Sequence, residues 1–235
     1  MENKIQILST KKISDALISR AAVSNICIDF VSFIETKELI TPETEERILQ
    51  LSSQKVTVIF TSSNAVNAVC KRLSTKPSWK IYCIEPATKN SVADFFGSTN
   101  IYGSDVNADK LADKIIADKP DEALIFFCGD KRRNVLKDKL HQEGIHLEEI
   151  IVYKTIETPQ PVLKDYDGIL FFSPSGVNSF FSKNKMNQSQ LFAIGSTTAE
   201  AAKIFTRRSV IVSQRPSAES LINSTIAYFN TNKVY

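Results

Sequence analysis

Val56-Thr57-Val58-Ile59-Phe60-Thr61-Ser62-Ser63-Asn64-Ala65-Val66 decides the fold class. Residues 56–60 form a short, almost wholly apolar run, the mark of a strand covered on both faces. A Ser/Thr turn follows, and Ala65, Val66, Val69 and Leu73 then recur at helical spacing. The same strand–turn–helix unit repeats outward in both directions. On the N-terminal side, 4–8 and 26–34 read as strands, the second a long one. Between them Ile13, Ala16, Leu17 and Ala21 give a helical face. Thr41-Pro42 opens a further helix with an N-cap and a proline in its first turn. On the C-terminal side, 80–84, 123–128, 148–155, 168–173, 192–195 and 210–213 read as strands. Helical patterns follow most of them, one capped by Asn107 and one ended by Gly144 as its C′ residue. Thr158-Pro159-Gln160-Pro161 reads as a linker. Apolar strands alternating with helices predict an α/β protein with nine or ten parallel strands, in one wide sheet or two small ones.

A repeat favours two. Phe60-Thr61-Ser62-Ser63-Asn64-Ala65-Val66 aligns with Phe171-Phe172-Ser173-Pro174-Ser175-Gly176-Val177 at an offset of 171 − 60 = 111. Ile84-Glu85-Pro86-Ala87-Thr88 aligns with Ile194-Gly195-Ser196-Thr197-Thr198 at 194 − 84 = 110. Near-equal offsets predict two similar βα lobes.

Composition excludes several classes. The chain has 235 residues, 43% hydrophobic and 23% charged, ordinary for a folded protein. Twenty-nine basic against 26 acidic residues leave a net charge of +3, too small to argue for nucleic acid. No apolar stretch approaches the roughly 18 residues of a membrane span, and the N-terminus lacks a secretory pattern, so a cytoplasmic protein is expected. Cys27, Cys70, Cys83 and Cys128 contain no C-x-x-C pair and read as free thiols of a reducing compartment. Neither G-x-G-x-x-G nor a P-loop occurs among only seven glycines, so nucleotide cradles are absent.

Ligands of open parallel sheets bind beyond the carboxyl ends of the strands. Those ends are rich here in small hydroxyls: Ser9-Thr10, Thr61-Ser62-Ser63, Thr88, Ser173, Ser175, Ser196-Thr197-Thr198, Ser213 and Ser217. Each leads into a helix start, where unpaired amides and the helix dipole favour anions. Any one of these residues is explained as a plain N-cap. The whole set is better explained by a cleft between two lobes that holds a ligand with many carboxylates. Cys128-Gly129 is the exception among the strand ends, followed by Lys131-Arg132-Arg133, which serves equally as a solvated face or as charge for the ligand. His141 and His146 read as surface or capping groups. No Ser/His/Asp set, Cys/His pair or metal cluster is indicated. Tyr153 stands on the strand before the linker, either as an amphipathic tyrosine at a domain junction or as a proton donor.

Taken in order, these pieces resemble the uroporphyrinogen-III synthase family. The resemblance is carried by Ile59-Phe60-Thr61-Ser62-Ser63-Asn64-Ala65-Val66, Phe127-Cys128-Gly129, Leu140-His141-Gln142-Glu143-Gly144, Val152-Tyr153-Lys154-Thr155, Phe171-Phe172-Ser173-Pro174-Ser175-Gly176-Val177, Ala193-Ile194-Gly195-Ser196-Thr197-Thr198-Ala199 and Pro216-Ser217-Ala218-Glu219-Ser220-Leu221. It implies two flavodoxin-like lobes joined by a two-stranded linker. One lobe would be discontinuous, 1–28 with 160–235; the other would be inserted at 37–149; the linker strands would be 29–36 and 150–159.

The resemblance also implies the substrate, hydroxymethylbilane, closed into a ring with loss of water and inversion of ring D, without metal or organic cofactor. Tyr153 matches the family's functional tyrosine and would assist departure of the hydroxyl. Thr61, Ser62, Ser63, Thr88, Cys128, Gly129, Lys131, Ser173, Ser175, Gly176, Gly195, Thr197 and Thr198 would line the substrate, largely through backbone amides. A monomer is the default expectation, with transient handover from hydroxymethylbilane synthase; charge and hydropathy argue for no nucleic-acid or membrane partner. Two departures stand out: Ser9-Thr10-Lys11 replaces a turn that often carries arginine, and Glu85-Pro86 replaces an early glycine. A non-catalytic bilobal binding protein, a degenerate regulatory member and a nucleotide-sugar transferase are the rival readings.

Overall fold

The computed structural model describes residues 4–132, 134–185 and 188–231. They form two compact units, Met1–Glu35 with Ile156–Tyr235 (unit 1) and Thr36–Thr155 (unit 2). The elements, in chain order, are β1 (Ile5–Ser9), α1 (Asp15–Val23), β2 (Ile26–Phe30), β3 (Ile34–Glu38), α2 (Pro42–Ser52), β4 (Thr57–Phe60), α3 (Ser63–Cys70), β5 (Lys80–Ile84), α4 (Ala87–Phe96), β6 (Ile101–Asp105), α5 (Ala108–Asp118), β7 (Leu124–Gly129), α6 (Val135–Gln142), β8 (Leu147–Glu157), β9 (Gly168–Phe171), α7 (Pro174–Phe181), β10 (Gln190–Ala193), α8 (Ser196–Lys203), β11 (Val210–Val212) and α9 (Ala218–Thr231).

Two sheets result. The five-stranded sheet runs β11-β10-β9-β1-β2, and the six-stranded one runs β3-β8-β7-β4-β5-β6. The pairs β1–β2, β1–β9, β9–β10 and β10–β11 are parallel, as are β4–β5, β4–β7, β5–β6 and β7–β8. The α/β class with two sheets dominated by parallel pairs is therefore what the chain adopts; β3 joins β8 in the opposite sense, the Leu39 amide donating to the Val152 carbonyl and the Thr158 amide to the Phe33 carbonyl.

The repeat is deeper than its two matched turns. Adding 111 to the bounds of β4 and α3 reproduces those of β9 and α7. β5, β6 and α5 find β10, β11 and α9 at offsets near 110. The remaining pair, β7 and β8, corresponds in spatial position to β1 and β2. Along the sheets, β8-β7-β4-β5-β6 thus matches β2-β1-β9-β10-β11. The lobes share one architecture with permuted connectivity. Numbered along each lobe's own strands with the edge strand β3 set aside, unit 1 read from β2 has the flavodoxin order 2-1-3-4-5, whereas unit 2 read from β6 has 3-2-1-4-5.

Strand alternation fills a core on each face of each sheet. In unit 2, Val58, Phe60, Ile125 and Phe127 point to one face with Val66, Val69 and Val92 of the covering helices. Ile59, Phe126 and Cys128 point to the other, against Leu111, Ile115, Leu136 and Leu140. In unit 1, Ile7 and Leu170 meet Ala21, Leu221 and Ile222, while Leu8, Ile169 and Phe171 meet Val177, Phe180 and Ala202. Trp79 is buried in unit 2 with its indole N–H donating to the Leu51 carbonyl at 2.9 Å, so its polar atom is satisfied.

Two expectations require correction. The long strand 26–34 is two strands in different sheets, β2 and β3. The Val31 amide makes its last rung to the Ser9 carbonyl at 3.1 Å. Phe33 then buries completely, 5.2 Å from the Phe180 ring centroid, and this anchor takes the chain out of the first sheet before β3 begins. The edge strand β6 is an addition to those expected, giving eleven strands among the described residues. Elsewhere Thr41 and Asn107 cap their helices through their side chains, and Gly144 ends α6 at φ 74°.

Candidate functional site

In an open parallel sheet, connections leave two neighbouring strands in opposite directions at one point, and a crevice opens there beyond the carboxyl ends. In unit 2 this point lies between β4 and β7; in unit 1 it lies between β9 and β1. Most of the candidate residues gather at these two places, each within its own unit.

In unit 2, β4 delivers Thr61 and Ser62, and α3 starts at Ser63. The Ser62 hydroxyl accepts from the Asn64 amide at 3.2 Å and caps the helix. β7 delivers Gly129 on the other side of the crevice. Tyr153 joins them through an irregularity in β8. Cys128 pairs with Ile151, but Gly129 pairs with Tyr153, so one residue of β8 is skipped. Such a bulge re-aims the side chain beside it. The Tyr153 ring consequently lies over Gly129, where an added β-carbon would stand 2.4 Å from Cζ and 2.8 Å from the phenol oxygen. Any side chain at 129 would force the ring or the strand to move.

Burial is the main cause that raises the Tyr153 phenol above its ordinary value, reinforced by the charges of Cys128 and Asp130 and opposed by hydrogen bonding from the Ser62 side chain. The phenol therefore remains protonated at neutral pH and is equipped to donate. Cys128 contributes only backbone to this place. Its thiol is buried on the far face of the sheet, 3.7 Å from the Ile150 carbonyl, and desolvation pushes it up to about 11. Lys131 is exposed in the following turn. Arg132 is committed to Glu149 at 2.7 Å, and Arg133 lies outside the described residues. Thr88 is largely buried within α4.

Asp130 was not among the expected site residues. Its Oδ1 accepts from the amides of Lys131 at 2.8 Å and Thr155 at 2.9 Å. Its own amide donates to the Tyr153 carbonyl at 3.1 Å. The signal was the position itself, a carboxylate one residue beyond the strand-end glycine.

Unit 1 repeats the scheme without the tyrosine. Ser173 caps α7, its hydroxyl accepting from the Gly176 amide at 3.1 Å, as Ser62 caps α3. Across the crevice, the Thr10 hydroxyl donates to the Leu170 carbonyl at 2.8 Å and lies 3.8 Å from the Cβ position of Gly176. Ser175 and Thr197 are half-buried, and Thr198 is buried in α8. Gly195 begins α8 without a side-chain cap, which leaves the first amides of that helix for water or an anion.

His141 and His146 lie 5.5 Å apart, centroid to centroid, where α6 ends and just before β8 begins. That is the opposite end of the parallel sheet from Gly129. No group of three or more His, Cys, Asp and Glu residues suited to a metal ion occurs among the described residues. No helix among them is long and apolar enough to cross a membrane.

Comparison with known proteins gives a consistent picture. The family model for uroporphyrinogen-III synthase HemD matches residues 26–223. The uroporphyrinogen-III synthase of Schizosaccharomyces pombe is 28% identical over 166 residues, 65% of this chain and 64% of that protein. The Saccharomyces cerevisiae enzyme of the same name is 29% identical over 176 residues, 63% of this chain and 64% of that protein. The match thus spans a little under two thirds of each of these relatives. In fold, the chain is similar to uroporphyrinogen-III synthetase from Helicobacter pylori, with a TM-score of 0.68 at 15% identity over 95% of this chain and 99% of that one. It is also similar to a mutant uroporphyrinogen III synthase from Thermus thermophilus, with a TM-score of 0.63 at 12% identity over 96% and 98%.

Proposed function

This chain belongs to the uroporphyrinogen-III synthase family, and from that membership we propose that it cyclises hydroxymethylbilane to uroporphyrinogen III, with loss of water and inversion of ring D. The observation that carries the reading is the Tyr153 phenol, seated over Gly129 at the switch-point crevice and buried enough to keep its proton. In this proposal the phenol donates that proton to the terminal hydroxyl as the C–O bond breaks and water departs. The pyrrole nitrogen supplies the electrons that expel it, leaving an electrophilic carbon. The substituted α-carbon of ring D attacks that carbon to give a spiro intermediate. The bond from that α-carbon to its original methylene bridge then breaks, leaving the bridge electrophilic. The free α-carbon of the turned ring attacks the bridge and loses its proton, which closes the macrocycle and restores the phenol. The reactive intermediate also closes without inversion, so the protein acts mainly by holding a geometry that disfavours the direct closure.

The hydroxyl and amide groups of Thr61, Ser62, Ser63, Gly129, Ser173, Ser175, Gly176, Gly195 and Thr197 are proposed to hold the substrate's acetate and propionate groups. No protein-bound cofactor is required by the scheme. The substrate is proposed to arrive from hydroxymethylbilane synthase in the cytoplasm, with the protein working as a monomer.

The test is a product assay. Hydroxymethylbilane is incubated with and without the protein, and the type I and type III isomers are separated by chromatography. Conversion predominantly to type III is expected. An isomer ratio unchanged by the protein refutes the function.

A further inference from the structure

Resting on the proposed role of Tyr153, we infer that Asp130 is a positioning residue: its carboxylate locks the turn after β7 to β8 so that the Tyr153 phenol is held in the crevice. A carboxylate at this turn is unexpected on electrostatic grounds. The turn lies beside amides proposed to receive a polyanion, and a free negative charge there would repel it.

Its contacts account for its presence. One oxygen accepts two backbone amides, Lys131 on its own turn and Thr155 two residues beyond Tyr153. The Asp130 amide donates to the carbonyl of Tyr153 itself. Both bonded groups of β8 lie just past the skipped residue, Val152, so these bonds fix the strand immediately beyond the bulge, where the ladder beside β7 is interrupted. Gly129 supplies the space for the ring, and Asp130 fixes the backbone that carries the ring into that space. Asp130 is itself exposed, so its loss does not open the core.

Asparagine keeps a carbonyl oxygen at the same place and can accept both amides; alanine cannot. Rates of type III formation are measured for Asp130→Ala, Asp130→Asn, Tyr153→Phe and Asp130→Ala/Tyr153→Phe. Thermal melts establish that each variant is folded. Asp130→Ala is expected to lower the rate constant by about 10- to 100-fold, the scale set by small misplacements of a reacting group. Asp130→Asn should stay within about threefold of the parent, because one acceptor replaces another. In the Tyr153→Phe background, Asp130→Ala should cost little more, because both changes remove the same contribution. Additive losses, or an Asp130→Asn variant as slow as Asp130→Ala, overturn the assignment.

A second readout is independent of turnover. With ring-labelled tyrosine, the Tyr153 resonance is identified by its absence in Tyr153→Phe, and its titration is followed by NMR. Both variants remove the Asp130 charge, so the difference between them is the readout: the titration should lie lower in Asp130→Ala, toward the ordinary tyrosine value, than in Asp130→Asn. Equal titrations in the two variants overturn the positioning role whether or not the protein makes the type III isomer. A protein with no isomer activity but with the expected titration refutes the function and leaves the seat standing.

Discussion

The ring of Tyr153 stands where a β-carbon of Gly129 would be, with Cε2 2.6 Å from that position. The two residues are register partners across β7 and β8, beside the one irregularity in that pairing. A glycine and a tyrosine from neighbouring strands thus form a single structural object, in which the ring occupies the space that a side chain at 129 would need.

Gly129→Ala tests this directly. The methyl group must displace either the ring or the strand, an overpacking cost of about 1–3 kcal/mol. Type III formation should fall by about 10- to 100-fold from misplacement of the phenol. Denaturant unfolding and the isomer assay measure the two effects. A fully active, fully stable alanine variant would sink the proposed seat.

Tyr153→Phe should slow type III formation while leaving the fold unchanged, and it should also alter the pH profile. Burial raises the phenol above its ordinary value of 10.0. The proton-donating form therefore prevails through neutral pH and is lost only as pH rises through the raised value. The parent rate should fall on that alkaline side, and the phenylalanine variant should lack that limb. The sign for stability is the same: a raised value favours the fold below pH 10, a contribution that disappears as pH rises past the folded-state value.

Glu149 supplies the opposite sign. The hydrogen bond from Arg132 lowers its carboxyl to about 2, opposed by burial and aided by Lys137. A depressed value stabilises the fold above the ordinary 4.5 and loses that contribution as pH falls from there toward 2. Glu149→Gln should cost about 1–2 kcal/mol at pH 7, discounted for the solvent that reaches Lys137. The difference from the parent should vanish near pH 2. Chemical denaturation across that range checks both ends, and a pH-independent difference would rule out the charge-based account.

The matched caps Ser62 and Ser173 separate two roles. Either alanine substitution should cost about 1 kcal/mol of stability through the lost helix cap. If the hydroxyls also meet substrate, KM for hydroxymethylbilane should rise in both variants. Steady-state kinetics that leave KM unchanged would reduce these residues to helix starts.

Much of the fold was legible because burial dictates it. Residues 123–128 could only be a strand covered on both faces, and the 111-residue offset located the second lobe from seven residues of similarity. What escaped was decided by tertiary packing. The segment Ile101–Asp105 has only two large apolar side chains, and its Gly103 reads as a breaker. Yet a β-carbon at Gly103 would strike both the Tyr82 ring and the Lys114 side chain at 2.7 Å, so its strand role depends on neighbours remote in sequence. Phe33 looked like one more strand residue, and only its burial against Phe180 shows that it diverts the chain.

For the site, the hydroxyl-bearing turns could be found from their positions beyond strand ends. The Cys128 thiol could not be placed on the far face of the sheet until its packing was known. Asp130 was missed for a physical reason. An acid at a turn proposed to receive anions looks unfavourable until its oxygen is seen to be bound to backbone amides.

The permuted order of strands has a consequence for how the molecule is made on the ribosome. Unit 2 is one unbroken segment, Thr36–Thr155, so all the partners of its sheet emerge in succession. Unit 1 is different: β1 pairs with β9, Ile7 opposite Gly168, across 168 − 7 = 161 residues. Until β9 is synthesised, β1 and β2 carry an apolar face and an open edge with nothing to cover them, a hazard for aggregation. Nascent chains halted near residue 160 should therefore protect the β4–β8 segment from protease while leaving 4–30 sensitive, which makes early chaperone capture of the N-terminal strand pair the natural safeguard of this topology.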